Sequence, residues 1–317
     1  MDEDLGECLI LKTFLKKDPP CSRSCTHKSF PSYHDVSGGR GCWVAHTALC
    51  ILEATRVKDD IIAVLNKRGI EWKTLILALL LHDSGKLSKD YTSMNKPRIH
   101  HNEVSAQIAY DVLTALQKSG YIADYEKNVV SRSCFLHMEY YLWRNMVKGG
   151  FTTINQITIP GKIIELADDV QKPLENLELI LKEIGEFDRL ICLTISEISK
   201  MSQIKLRPST YTISSGTSHE TLLKILSLQW FMLLFDNRAS SARRNVNFYW
   251  SEILKEVTRS SLEANSCVDG VIRFSDRLLS RLRGKLTPLP RTRGDTGRPV
   301  QVRDRSRRRE GHPLEVH

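Results

Sequence analysis

The string Leu80-Leu81-His82-Asp83-Ser84-Gly85-Lys86 sets an imidazole beside a carboxylate at the end of a strongly apolar run. Titratable groups are costly to bury there without a partner, and a divalent metal is the natural one. Imidazole with carboxylate suits Mn, Fe, Co, Ni or Zn better than Mg or Ca, and the two oxygens of Asp83 can serve two ions at once. Neighbouring helical residues point about a third of a turn apart, so His82 and Asp83 cannot stack, yet both can converge on ions at a helix end. Lys86, one turn on, offers a cation to a phosphate or holds the carboxylate in place.

The elements that must position this pair read as helices, because apolar residues recur at three- and four-residue spacing. Trp43, His46, Cys50, Ala54 and Val57 share one face. Residues 72–81 are apolar all round, as a helix at the centre of a bundle must be, with Gly85 expected to end it. Pro97 opens a segment in which His101, Val104, Ile108, Val112 and Leu116 form a stripe closed by Gly120, and a further stripe runs Val130, Cys134, His137, Tyr141. Alone, each of His46, His101 and His137 reads as a core histidine with a hydrogen-bond partner. Together, three helices that each turn an imidazole inward around a fourth ending in His-Asp read as a metal site. Beyond them, residues 149–154 read as a turn or short hairpin, helical patterning resumes from Ile163 to about Ile198, and 207–218 is a loop. Two more helices are expected at 219–244 and 249–262.

The chain has 317 residues, 41% hydrophobic and 26% charged, which fits a globular protein and excludes a collagenous or globally disordered one. Its net charge of +9 is concentrated: residues 277–317 carry twelve Lys and Arg against four acids, so a nearly neutral body bears a basic tail suited to a polyanion. An acidic amino terminus and apolar runs far short of the ~20 residues that span a bilayer predict no membrane partner and a cytoplasmic location. Eight cysteines in this length do not make a disulfide scaffold. The expected organisation is an N-terminal extension at 1–40, an all-α bundle with extra carboxyl-terminal helices at 41–284, and a disordered Arg-rich tail at 285–317.

Weaker signals have ordinary explanations. Cys21, Cys25, His27 and His34 have zinc-ligand chemistry at loose spacing, which a polar loop also accounts for, and the glycines at 38, 39 and 41 read as a flexible turn. Trp230, Phe231, Phe235 and Trp250 read as core, and Arg243-Arg244 as dipole partners of a helix end.

The order His46, His82-Asp83 with Gly85-Lys86, His101 with Ser105-Ala106, then His137 resembles the HD superfamily of metal-dependent phosphohydrolases, and most of all the stand-alone CRISPR-associated HD nuclease of type I interference. The resemblance covers about residues 40–245 and implies an HD-type helical bundle. That family closes its site with an Asp followed by small residues, a pattern that Asp236-Asn237-Arg238-Ala239-Ser240 matches better than Asp168 does. His137-Met138 stands where the family usually has two consecutive histidines. The resemblance implies that His46, His82, Asp83 and Asp236 hold one ion and Asp83, His101 and His137 a second, with Asp83 and Lys86 catalytic. It further implies cleavage of single-stranded DNA by metal-activated hydroxide, using one or two ions of Mn, Fe, Co or Ni. The implied partners are a separate helicase subunit and an RNA-guided surveillance complex. Two other classes fit the same residues: a phosphohydrolase acting on nucleotides or cyclic dinucleotides, and a non-catalytic subunit that keeps the bundle.

Overall fold

The computed structural model describes residues 6–21, 25–26, 29–35, 38–93, 101–137, 160–214 and 216–244. Among them 69% are helical and 5% are in strands, so the fold is an all-α bundle. The helices are α1 (Gly6–Leu15), α2 (Trp43–Arg56), α3 (Lys58–Lys67), α4 (Trp72–Leu81), the single turn α5 (Lys89–Thr92), α6 (His101–Lys118), α7 (Asp124–Leu136), α8 (Gln171–Glu183), α9 (Arg189–Ser199) and α10 (His219–Arg244).

The bundle is built around α4. Its residues Leu75 to Leu81 are all buried, because α2, α6, α7 and α10 pack around it and leave no face for water. The longest helix among the described residues, α10, lies against α1, α2, α4 and α7, burying Trp230, Phe231 and Phe235. A buried ion pair fixes its register: Arg238 Nε donates to Glu53 Oε2 of α2 at 2.8 Å. Helices α6 and α7 form the most extensive helix pair, and Glu126 secures the start of α7 by accepting from Ala123 N at 2.7 Å and from Thr74 Oγ1 at 2.9 Å.

Two short antiparallel ribbons interrupt the helices. Gly38 and Gly39, expected in a flexible turn, instead lie in strand β2 (Gly38–Arg40), which pairs with β1 (Tyr33–Asp35). Ile163–Glu165, expected to be helical, forms strand β3 and pairs with β4 (Gln203–Lys205). Ile164 and Ile204 point inward from the two strands while Ile163 faces solvent, a period of two that three residues cannot reveal in the sequence. The helical pattern then begins only at Gln171 and is split into α8 and α9, with Asp188 capping α9 by accepting from Ile191 N at 2.9 Å.

Residues 219–244 are a helix with the expected bounds, and 72–81 are helical but end before Gly85. Among its described residues, the 207–218 segment carries only a short 3-10 turn at Pro208–Thr210. The expected hairpin at 149–154, the helix at 249–262, Trp250 and the tail at 285–317 lie outside the described residues. Among the described residues no helix is long and apolar enough to cross a membrane.

Candidate metal centre

Helix α4 stops at Leu81, four residues before Gly85, because polar side chains take over its last carbonyls. His82 Nδ1 donates to Leu79 O at 2.8 Å and Ser84 Oγ donates to Leu81 O at 2.7 Å. The chain then tightens into a 3-10 turn at Ser84–Leu87, and Trp43 Nε1 donates to the carbonyl of Asp83 at 2.9 Å. Gly85 serves close approach, not helix termination: its N–H donates to Ser105 Oγ at 2.8 Å, and a Cβ there would strike the His101 carbonyl. The Gly85 and Ser105 positions of the motif are therefore one contact that presses the 3-10 turn against the start of α6.

The end of α7 is finished in the same manner. His137 Nδ1 donates to Cys134 O at 2.6 Å, Asn102 Nδ2 to Phe135 O at 2.7 Å, and Gln229 Nε2 to Leu136 O at 3.2 Å. Side chains from α6, α10 and His137 itself thus satisfy carbonyls that α7 leaves open, and they draw the three elements together.

Asp83 is the meeting point. Its Oδ2 lies 3.3 Å from His46 Nε2, 3.5 Å from His82 Nε2 and 2.6 Å from Lys86 Nζ. Its Oδ1 lies 3.2 Å from His101 Nε2 and 3.5 Å from His137 Nε2. Asp236 reaches the first group from α10, its Oδ1 3.0 Å from His46 Nε2 and 3.9 Å from His82 Nε2, and Ser240 one turn later donates to that same oxygen at 3.2 Å. Asp168 is elsewhere, an exposed carboxylate 2.8 Å from Lys89 Nζ. Lys86 also donates to Ser32 O at 2.6 Å, so its ammonium holds Asp83 in place.

Two groups of potential ligand atoms result, each drawn within 4.8 Å: His46, Cys50, His82 and Asp236, and beside them Asp83, His101 and His137. Cys50 entered the sequence reading only as a member of the His46 face; its i+4 spacing from His46 is the signal that carries it, and its Sγ lies 3.8 Å from His46 Nε2. Glu7 was not anticipated at all. Its Oε1 lies 3.2 Å from His46 Nδ1, from a helix 39 residues earlier with no local motif to announce it. Of the loosely spaced cysteine and histidine set, buried Cys21 lies near Cys25, which also meets Cys42, whereas His34 Nε2 donates to Tyr91 O at 2.6 Å and His27 lies outside the described residues.

The electrostatics keep His82 and His101 proton-poor and Asp83 and Asp236 charged. Burial pulls the His82 imidazole down to about 4, against the opposing pull of Asp83 and Asp236. Burial and then the Lys86 charge lower His101 to about 3. Burial by itself would raise Asp83, but Lys86, His82 and the bonds from His101 and His137 outweigh it and hold the carboxyl well below the usual range. Asp236 is lowered likewise, its burial outweighed by His46 and His82. Burial raises the Cys50 thiol, against the pull of His46.

The donor set fits a cation. The His82 Nε2 atom is buried without a hydrogen-bond partner while its Nδ1 is committed to Leu79, so its free lone pair faces the two carboxylates. His101 Nε2 and His137 Nε2 stand 3.2 Å apart beside Asp83 Oδ1. With the His137 Nδ1 proton donated to Cys134, that spacing is closed by a proton on His101 Nε2 or by a cation. His46, His82 and Asp83 are buried, whereas the side chains of His101 and Asp236 are 18% and 22% exposed and mark the side from which the centre is reached.

The chain therefore holds buried His, Asp and Cys groups able to hold a metal ion. Comparison with protein-family models, with curated proteins and with solved structures gives no match.

Proposed function

We propose that this chain is a metal-dependent phosphodiesterase of the HD type that cleaves single-stranded DNA, working in the cytoplasm with a separate helicase and an RNA-guided complex. The observation that carries the reading is the division of one buried carboxylate between two sets of imidazoles, Asp83 Oδ2 toward His46 and His82 and Asp83 Oδ1 toward His101 and His137. The order of these residues along the chain, with Gly85, Lys86 and Ser105 in their places, supports the HD assignment in particular.

His46, His82, Asp236 and one oxygen of Asp83 would hold the first ion, with Cys50 as a further donor, and His101, His137 and the other oxygen of Asp83 the second. Mn, Fe, Co and Ni suit a donor set of mixed imidazole and carboxylate. Bound ions supply charge for a scissile phosphate and lower the pKa of water. The protein's own part is to fix the donors. Leu79 and Cys134 carbonyls lock two rings so that their Nε2 atoms face inward, and Lys86 holds Asp83 ionised. His101 and Asp236, at the exposed edge, are placed to meet a phosphodiester. The basic segment at 277–317 suits a polyanion, its binding weakening with salt as counterions are displaced.

The test uses the purified full chain with Mn, Co or Ni and labelled single-stranded DNA. Cleavage lost in His82→Ala and Asp83→Ala supports the reading, and full activity in either variant overturns it. Turnover of mononucleotides or cyclic dinucleotides with DNA left intact assigns the centre to the other phosphohydrolase class.

A further inference from the structure

We propose that Glu7 is a positioning residue of the metal centre, fixing His46 with its Nδ1 protonated and its Nε2 lone pair aimed at the ion; this rests on the metal-centre reading above.

Glu7 lies on α1, which packs against α2 and α10, and is fully buried. A buried carboxylate is tolerated only where donors surround it, and here they do. Ser32 Oγ donates at 3.1 and 3.0 Å to the two oxygens, and the Cys42 N–H donates to Oε2 at 2.7 Å. His46 Nδ1 stands 3.2 Å from Oε1. Gly41 makes the space: it holds a positive φ of 69°, and a Cβ there would lie 2.6 Å from Glu7 Oε2. The pocket is thus shaped around the carboxylate by Gly41 after the β1–β2 hairpin, the start of α2 and the loop at Ser32.

An ionised carboxylate can only accept, so the ring proton of His46 belongs on Nδ1. Nε2 is then left facing Asp236 at 3.0 Å, Asp83 at 3.3 Å and Cys50 at 3.8 Å. Of the other inward rings, His82 and His137 use neutral backbone carbonyls for the same purpose; His46 faces the full negative charge of Glu7, which orients the ring and raises the basicity of Nε2. Ser32 extends the arrangement, since its hydroxyl serves Glu7 while its carbonyl accepts from Lys86, which holds Asp83. Ser32 thereby joins the support of His46 to that of Asp83.

The decisive measurement is Mn affinity of the full chain, by titration with the free ion followed by electron paramagnetic resonance. Glu7→Gln keeps the size of the side chain and an acceptor for Cys42 but removes the charge. It should weaken binding of one ion by about 10- to 100-fold, as loss of such an outer carboxylate does. Its metal-free melting curve reports separately on the fold. Affinity in Glu7→Gln within twofold of the parent overturns the role of Glu7 and leaves the metal centre standing. Failure of the parent chain to bind Mn, Co or Ni overturns the centre itself. Should Glu7→Gln not fold, nitrogen NMR of the zinc-loaded parent decides: a proton on His46 Nδ1 supports the proposal, and one on Nε2 overturns it.

Discussion

The Lys86 ammonium lies 2.6 Å from Asp83 Oδ2, and the side chains of both residues are buried. Removing one partner of a buried ion pair leaves an uncompensated charge and costs about 3–5 kcal/mol. Lys86→Met keeps the apolar stem and should lose about that much in metal-free protein. Saturating Mn should return part of the loss, because an ion beside Asp83 replaces the missing positive charge and favours the folded state by mass action. Denaturant titrations with chelator and with Mn measure both quantities; equal losses under the two conditions would place the ion away from Asp83.

The contact of Gly85 with the start of α6 makes a second prediction. A Cβ at Gly85 meets backbone on the α6 side, within 2.8 Å of Ser105 N, and backbone yields far less readily than a flexible side chain. Gly85→Ala should therefore destabilise by about 1–3 kcal/mol, the usual range for an overpacked site. It should also weaken Mn binding, since His101 opens the helix that must move. A variant that melts and binds as the parent does would contradict the close approach.

Glu103 predicts a pH effect. It is buried on α6 with Oε2 lacking a hydrogen-bond partner, and burial raises its carboxyl to about 7 from 4.5. Between those two values the folded chain holds a proton that the unfolded chain has released. Stability from this residue therefore falls as pH rises from about 4.5 to about 7, and the deficit persists above. Full expression of such a shift corresponds to roughly 3 kcal/mol. Glu103→Gln should gain stability relative to the parent above pH 7 and show no gain from this source at pH 4. The comparison is made in chelator at each pH, so that the inward histidines contribute equally to both proteins. A difference between the two that is independent of pH would refute the assignment.

Much of the cluster was legible along the chain because several of its imidazoles and carboxylates announce themselves locally. His82-Asp83 ends an apolar helix, and His46, His101 and His137 sit on stripes whose spacing fixes which way they face. The all-α class followed from the same periodicity. Strand β3 escaped notice because three residues carry too little pattern to distinguish a strand from the first turn of a helix.

What the sequence by itself determined was which side chains turn inward and in what order. Tertiary structure alone decided which of them meet. Asp236 and Asp168 are both carboxylates beside apolar residues, and only the packing of α10 along α2, with Arg238 on Glu53, brings Asp236 to His46 and leaves Asp168 with Lys89 at the surface. The approach of Glu7 to the far side of His46 depends likewise on α1 packing against α2 and on the space at Gly41. Helical spacing fixes direction relative to a residue's own axis; distances between residues far apart in the chain are set by how the helices pack, which no local pattern encodes.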